Sequence, residues 1–132
     1  MPTVFTRILR GEIPGTFVER DDVCAVVMSI NPLAHGHALI IPVLEVAHWV
    51  DLPDEVAAHL FSVAHRIGRA QRDAFRCERV GLIIAGYEVP HTHLHVVPTT
   101  SMRQLDFSNA AASVSRDDLE SAARAMRDQL AG

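Results

Sequence analysis

Three histidines, His91, His93 and His95, recur at alternate positions in a segment that otherwise has the composition of a β-strand. Side chains of a strand alternate between its two faces, so the three imidazoles share one face while Leu94 and Val96 lie on the other. Burying several imidazoles for packing alone is unfavourable unless each polar nitrogen finds a partner. The spacing therefore predicts that these side chains do chemistry, either by binding a metal ion or by acting on a substrate.

A metal site is one interpretation, because imidazole is the commonest metal ligand in proteins. On a straight strand the Cα atoms of His91 and His95 would lie ~13 Å apart, whereas the ligand nitrogens of zinc lie within ~2.1 Å of the ion. One ion could therefore bind two of the three histidines. A further ligand would have to come from His35, His37 or His48.

Nucleophilic catalysis is a second interpretation, and a hydrogen-bonded strand without chemistry is a third. A neutral imidazole is a competent nucleophile toward phosphorus. Neighbouring imidazoles can position phosphoryl oxygens, hold the tautomer of the nucleophile or protonate a leaving group. Three adjacent histidines supply all of these roles, so the residues favour catalysis and leave metal binding open.

Length, composition and charge are those of one small globular domain. The chain has 132 residues, 48% of them hydrophobic, and a net charge of −4, so we expect a single domain over residues 1–132. Its basic residues are all arginines without a long run, which favours neither nucleic acid as a partner nor a lysine-dependent site. No apolar stretch approaches the roughly 20 residues of a membrane helix and no apolar signal segment is visible, so we expect a cytoplasmic protein without a membrane partner.

Hydrophobic patterning predicts an α+β fold with a mainly antiparallel five-stranded sheet. Apolar residues every three or four positions from Val56 to Ala74 predict a long helix between strands 3 and 4, and similar spacing predicts a short N-terminal helix and a C-terminal helix. The predicted strands lie within residues 17–29 (a hairpin of two), 36–42, 80–85 and 91–97, and the predicted helices at 4–10, about 53–74 and about 115–131. Residues 99–113 are polar and have no predicted element.

The segment from His91 to Val97 reads HTHLHVV and resembles the His-φ-His-φ-His-φ-φ signature of the histidine triad (HIT) superfamily of nucleotide hydrolases and transferases, where φ is apolar. Residues 10–14 (RGEIP) are similar to the Gly-Glu-Ile-Pro segment of that superfamily, and residues 36–42 (GHALIIP) to its Gly-His-x-Leu-x-x-Pro strand. The three motifs follow in the family's order. The resemblance covers residues 3–100 and leaves a helical extension at about 115–131.

The resemblance implies an HIT-like subunit that pairs with a second copy into a homodimer with a continuous sheet. It implies a substrate in which a nucleoside 5′-phosphate, usually of a purine, is joined through its α-phosphate to a leaving group, and it implies no cofactor. His93 would be the catalytic nucleophile and form a nucleotidyl-histidine intermediate that water hydrolyses. His91 and His95 would flank it as catalytic residues that orient its ring and contact the phosphate or bridging oxygen, and His37 would have a supporting role.

A nucleotide-binding or regulatory protein with little turnover is the alternative, because the surroundings of the triad depart from the family pattern. The residues expected to bind the nucleotide are Ser29, Ile30, Asn31, Gly86, Tyr87 and Glu88. Ser29 stands where the family often has an aspartate for the ribose hydroxyls, so this contact lacks charge assistance. Glu88 stands where a hydroxyl residue helps the leaving group, and a carboxylate beside a phosphate repels it.

The zinc-bearing branch of the superfamily has an N-terminal Cys-x-x-Cys pair, whereas this chain has Thr3 and Thr6 at the corresponding positions. The zinc histidine of that branch, which follows the strand's closing Pro-x-x, is replaced by Glu45. The resemblance therefore predicts no structural zinc and no metal ligands in this chain.

Overall fold

The computed structural model describes all 132 residues, which form five strands and three α-helices. The strands are β1 (Phe17–Arg20), β2 (Cys24–Met28), β3 (Ala38–Pro42), β4 (Arg79–Ile83) and β5 (Leu94–Thr99), and the helices are α1 (Val4–Leu9), α2 (Asp54–Phe75) and α3 (Arg116–Ala131). The strands form one antiparallel sheet in the order β1-β2-β3-β5-β4. This architecture confirms the predicted α+β fold with its long helix between the third and fourth strands.

Helix α2 packs one apolar stripe against the sheet. Leu60, Val63 and Ile67 are buried there, and they recur at the three- and four-residue spacing that places side chains on one helix face. The helix ends at Phe75 and is followed by Arg76, whose φ of 51° is left-handed. None of the helices combines the length and the apolar character that crossing a membrane requires.

The sheet has a hydrophobic core on each face. Strand β2 is buried along its whole length, with Val26 in the larger core under α2 and α3 and Val27 in the smaller core under α1. Neighbours in a strand point to opposite faces, and the same rule holds in β5. Leu94 and Val96 belong to the larger core, so His95 between them points to the α1 face.

The regular part of the histidine segment is shorter than predicted. Strand β5 begins at Leu94, so only His95 of the three histidines lies in the sheet, where it is paired with Leu39 of β3. Upstream, the backbone N–H of Thr92 donates at 2.7 Å to the carbonyl of Val46, in the loop after β3. The predicted start of this strand is therefore wrong, because the chain leaves the ladder to hydrogen-bond with that loop.

Two short 3₁₀ helices, Met102–Leu105 and Phe107–Asn109, occupy a region for which no element was predicted. The side-chain amide of Asn31 donates to the carbonyls of Ala111 and Ala112, at 3.2 and 2.7 Å. These bonds join the region to the loop after β2. They hold it on the α1 face of the sheet, beside the histidines.

Candidate active site

A cavity of about 470 Å³ opens on the α1 face of the sheet, where several of the histidines meet. Most of its lining is apolar and comes from α1, β2, β3 and residues 107–111. The polar groups of the lining are Ser29, Asn31, Glu88 and the imidazoles of His37, His93 and His95. A largely apolar concavity with a few convergent polar groups is typical of a site for a small organic molecule.

His93 is held with one ring nitrogen bonded and the other free. Its Nδ1 lies 2.7 Å from the carbonyl oxygen of His91, and because a carbonyl only accepts, Nδ1 carries the proton. The lone pair of the neutral ring therefore lies on Nε2, which has no hydrogen-bond partner within the protein. Burial lowers the pKa of His93 below its ordinary value, partly opposed by the bond to the His91 carbonyl. The ring is thus neutral at physiological pH, with its lone pair available to a ligand.

His95 and His37 form a hydrogen-bonded pair whose protons can be assigned. The backbone N–H of Leu33 donates to Nδ1 of His37 at 3.0 Å, so the proton of that ring is on Nε2. Nε2 of His37 lies 3.0 Å from Nδ1 of His95 and donates to it, which leaves the proton of His95 on its own Nε2. The site therefore has an N–H donor on His95 beside the lone pair of His93, with the two ring centroids 4.8 Å apart.

Burial keeps both members of this pair neutral. Burial, together with the neighbouring imidazoles, lowers the pKa of His37 to about 4 and that of His95 to about 3. The tautomers therefore persist throughout the physiological range, because neither ring takes a second proton there.

His91 is fully buried and takes a different position from the other two histidines of the triad. Its Nε2 donates to the carbonyl of Pro42 at 2.8 Å, and its Nδ1 lies 2.7 Å from the hydroxyl of Thr3. Both ring nitrogens are engaged, so the ring has none left for a phosphate. His91 was expected to orient the ring of His93, and its carbonyl does contact that ring. The His91 ring was also expected to contact the phosphate, but both of its nitrogens are already hydrogen-bonded within the protein.

The residues expected to bind a nucleotide divide into two groups. Ser29, Ile30, Asn31 and Glu88 line the cavity, whereas Gly86 and Tyr87 do not. The Tyr87 side chain is 96% exposed. The amide of Asn31 anchors the 107–111 region, and the Ser29 hydroxyl accepts the N–H of Asn31 at 3.3 Å.

The charge of the cavity is unusual for a site that would take a phosphate. No arginine contributes to its lining, and the one carboxylate there is Glu88. Because the three lining imidazoles have lowered pKa values, the cavity has no cationic side chain at neutral pH. A phosphate bound here would be held by neutral N–H groups.

Two aromatic side chains that contact the histidines of the site were not predicted from the sequence. The ring of Phe5 lies edge-on to His93 at 4.7 Å between centroids, and that of Phe107 lies edge-on to His95 at 4.9 Å. Phe5 belonged to a predicted apolar helix face, but nothing in its spacing linked it to the triad. Phe107 lies in the region without a predicted element.

The positions that correspond to the zinc ligands do not suit zinc. Structural zinc takes thiolate, imidazole or carboxylate ligands, whereas this chain offers the hydroxyls of Thr3 and Thr6 with Glu45 and His91. Each of these groups is hydrogen-bonded to another member of the set. The donor set therefore favours a hydrogen-bonded cluster over a metal centre.

A second group of metal-type donors lies on the opposite side of the sheet. Ligand atoms of Asp21, Cys24 and His59 all lie within 4.8 Å of one another. The Asp21 carboxylate already accepts the N–H groups of Val23 and Cys24 and contacts His59, and burial raises the pKa of the Cys24 thiol to about 12. These contacts show that the three residues cap the hairpin turn between β1 and β2, and they explain the cluster without a metal ion.

The HIT domain family model matches residues 10–102 of the chain. Adenylylsulfatase HINT3 of Arabidopsis thaliana is 34% identical over 122 residues, which cover 89% of this chain and 60% of that protein. Adenosine 5′-monophosphoramidase HNT1 of Saccharomyces cerevisiae is 33% identical over 96 residues, which cover 72% and 61%. The chain thus spans about three fifths of the length of these two relatives.

A solved structure of the same family has the same fold as this chain. The crystal structure of a zinc-bound histidine triad family protein from Mycobacterium smegmatis superposes with a TM-score of 0.82 at 29% identity, covering 97% of this chain and 92% of the other. The family model covers most of the chain, including all three histidines of the triad. The chain therefore belongs to the HIT domain family.

Proposed function

We propose that this protein is a nucleotide hydrolase or nucleotidyl transferase that cleaves a nucleoside 5′-phosphate from a leaving group, with His93 as the nucleophile. The observation that carries the proposal is the free Nε2 of His93 in the cavity, whose lone pair follows from the bond between Nδ1 and the His91 carbonyl. The names of two relatives, an adenylylsulfatase and an adenosine 5′-monophosphoramidase, support the class of substrate.

In the first step Nε2 of His93 attacks the α-phosphorus. A nitrogen–phosphorus bond forms, and the bond between phosphorus and the leaving group breaks with its electron pair on the leaving group, which takes a proton from solvent when it is an amine. The imidazole becomes cationic while Nδ1–H still donates to the His91 carbonyl, whose dipole stabilises the new charge. The N–H of His95 donates to a phosphoryl oxygen or to the bridging atom, as its assigned tautomer allows.

In the second step water attacks the same phosphorus. The nitrogen–phosphorus bond breaks, His93 regains its neutral lone pair, and the nucleoside monophosphate leaves after the water has lost a proton to solvent. Another acceptor in place of water would give nucleotidyl transfer. Two displacements at a covalent histidine replace one difficult step by two easier ones.

The lining of the cavity suggests where the parts of the substrate lie. Apolar side chains such as Ile30 and Phe107 suit a nucleobase, and the Ser29 hydroxyl suits a ribose hydroxyl. Glu88 lies on the His93 side, close enough for its charge to act on that ring. We therefore place the leaving group near Glu88 and propose a purine nucleoside phosphate conjugate as the substrate.

The covalent step is tested by mass spectrometry of protein quenched during turnover of an AMP-linked phosphoramidate. Wild type should carry one nucleotidyl group, and His93→Ala and His93→Gly should carry none and lose turnover. His48→Ala is the matched control, because His48 is exposed and outside the cavity. Equal turnover in wild type and His93→Ala would refute the proposal.

A nucleotide-binding protein with little turnover is the second candidate, and the charge of the cavity favours it. Glu88 is the one carboxylate of the lining, and a carboxylate repels phosphate. Calorimetry would support this candidate if AMP or GMP bound tightly while a panel of AMP-linked compounds remained uncleaved.

We also propose that the protein forms a homodimer through β4, an edge strand of the sheet. Phe61 and Leu82, which line one groove beside this edge, are 61% and 40% exposed. A second copy paired with the edge would extend the sheet and cover these side chains. Sedimentation should give a dimer for wild type and for Met102→Asp, and a monomer for Leu82→Asp.

A further inference from the structure

Four residues form one hydrogen-bonded cluster between α1, the loop after β3 and the histidine segment. The backbone N–H of Thr3 and the hydroxyl of Thr6 both donate to Oε1 of Glu45, at 2.9 and 2.7 Å. Oγ1 of Thr3 lies 2.7 Å from Nδ1 of His91. The cluster therefore ties three separate parts of the chain together behind the cavity.

The protons of the cluster follow from its chemistry. Nε2 of His91 must donate to the Pro42 carbonyl, which leaves Nδ1 as the acceptor for the Thr3 hydroxyl. The Thr6 hydroxyl donates to Glu45, since a carboxylate only accepts. Glu45 thus receives two hydrogen bonds from the first turn of α1, and these hold the Thr3 hydroxyl against Nδ1 of His91.

The cluster reaches His93 by two routes. The first is the His91 carbonyl, which accepts the N–H of Nδ1 at 2.7 Å. The second is Phe5, which lies between Thr3 and Thr6 on α1 and packs edge-on against the His93 ring. A displacement of α1 or of His91 would disturb both contacts and with them the direction of the free nitrogen.

We infer that Glu45 is a positioning residue for His93, and that its hydrogen bonds with Thr3 and Thr6 replace, in this chain, the zinc ion of the zinc-bearing branch. The joined atoms of the cluster lie 2.7 to 3.5 Å apart. Ligands of a tetrahedral zinc at ~2.1–2.3 Å from the ion would lie roughly 3.5 Å apart. The hydrogen-bonded cluster therefore occupies about the space of a metal centre. The inference rests on the proposed function only for the role of His93.

The positioning role is tested with Glu45→Ala and Glu45→Gln, because glutamine keeps an acceptor oxygen for Thr3 and Thr6. The kcat of Glu45→Ala for an AMP-linked phosphoramidate should fall about tenfold with little change in KM, as is usual when a supporting hydrogen bond is lost. Glu45→Gln should stay within about twofold of wild type. Glu12→Ala is the control, since Glu12 lies just after α1 and pairs with Arg7 and Arg10 on the surface.

Nitrogen NMR of the His91 ring tests the same role without turnover. Wild type and Glu45→Gln should show Nδ1 of His91 with the chemical shift of a hydrogen-bonded acceptor, and Glu45→Ala should move it toward that of an unbonded nitrogen. The Pro42 carbonyl keeps the proton on Nε2 in all three proteins. An unchanged His91 spectrum and unchanged kcat in Glu45→Ala would overturn the inference. If no AMP-linked compound is cleaved even by wild type, the proposed function fails, while this spectrum still decides the role of Glu45.

The replacement of zinc is tested by restoring metal ligands at the three positions. The triple variant Thr3→Cys, Thr6→Cys, Glu45→His should bind one zinc per chain with His91 as the fourth ligand, measured by elemental analysis after dialysis. The single variant Glu45→His, which lacks the thiolates, is the control and should bind none. Stoichiometric zinc in wild type, or a folded triple variant that binds none, would overturn the replacement.

Discussion

Nε2 of His37 lies 3.0 Å from Nδ1 of His95, and the other nitrogen of His37 accepts the N–H of Leu33. A backbone amide thereby fixes the proton of His95 on the nitrogen that remains free for a ligand. The N–H that His95 can offer to a ligand is therefore set by His37, which needs no contact with that ligand itself. This relationship leads to the first prediction.

Replacing His37 should impair turnover more than binding. In His37→Ala the ring of His95 loses its fixed tautomer, so we expect kcat to fall roughly 10- to 100-fold, as when a supporting partner of an active-site imidazole is removed. KM should change little, because the nucleobase and ribose contacts remain. Steady-state kinetics on an AMP-linked phosphoramidate measure both constants. His48→Ala serves as the control, and a rise in KM at constant kcat would contradict the prediction.

Activity should persist into more acidic solution than an ordinary histidine would allow. Protonation of His93 removes its lone pair, and burial lowers the pKa of this ring below the usual ~6.5. The acid limb of kcat/KM should therefore lie below about pH 6.5. Rates in His93→Ala, measured in parallel, give the uncatalysed hydrolysis to be subtracted. An acid limb centred at or above the ordinary value would show that the ring is not desolvated.

Stability should depend on pH in the same direction. The pKa values of His37 and His95 are lowered to about 4 and about 3 in the folded chain, whereas in the unfolded chain they are ~6.5. Below ~6.5 the unfolded state binds more protons, so the free energy of unfolding is highest above that pH and falls as the pH drops toward the folded values. Urea midpoints at about pH 7.5 and about pH 5 measure this loss, which should be smaller in His37→Gln.

Local patterns were enough to predict the elements but not the environment of the histidines. The spacing of Leu60, Val63 and Ile67 defines one face of α2 whatever that face contacts. The alternation of His91, His93 and His95 predicted one strand face by the local rule of side-chain direction, but only His95 lies in the sheet, because the strand begins at Leu94.

The different hydrogen bonds of the triad histidines depend on contacts between residues that are far apart in the sequence. His91 binds Thr3, 88 positions away, and His37 binds His95, 58 positions away. The periodic spacing of apolar residues cannot predict pairings over such long separations in the sequence. Residues 102–109 were not predicted for the same reason, since they have no apolar repeat of their own. Phe107 packs on His95, and Asn31 holds the chain just after them at Ala111 and Ala112.

Glu88 should discriminate between leaving groups by charge. As the one carboxylate in the lining, it repels an anionic leaving group such as sulfate more than an uncharged amine. We expect Glu88→Gln to raise kcat/KM for adenylyl sulfate by about three- to tenfold relative to an AMP morpholidate, a modest effect because the side chain is exposed to solvent. Glu55→Gln, an exposed carboxylate at the start of α2, is the control. Equal changes for both substrates would exclude a role for the Glu88 charge.

Gly36 should tolerate no side chain, because two separate costs combine there. Its φ of +94° is unfavourable for other residues, and a Cβ would lie 2.4 Å from the ring of Phe75. Gly11 has a similar φ of +79° with nothing within 4 Å, so Gly11→Ala isolates the backbone cost of about 1–2 kcal/mol. Gly36→Ala should lose about 3 kcal/mol or more of unfolding free energy, since displacing a packed ring adds to the strain. Urea unfolding compares the two variants. Equal losses would show that Phe75 moves aside freely, and that the turn into β3 is not locked against the end of α2.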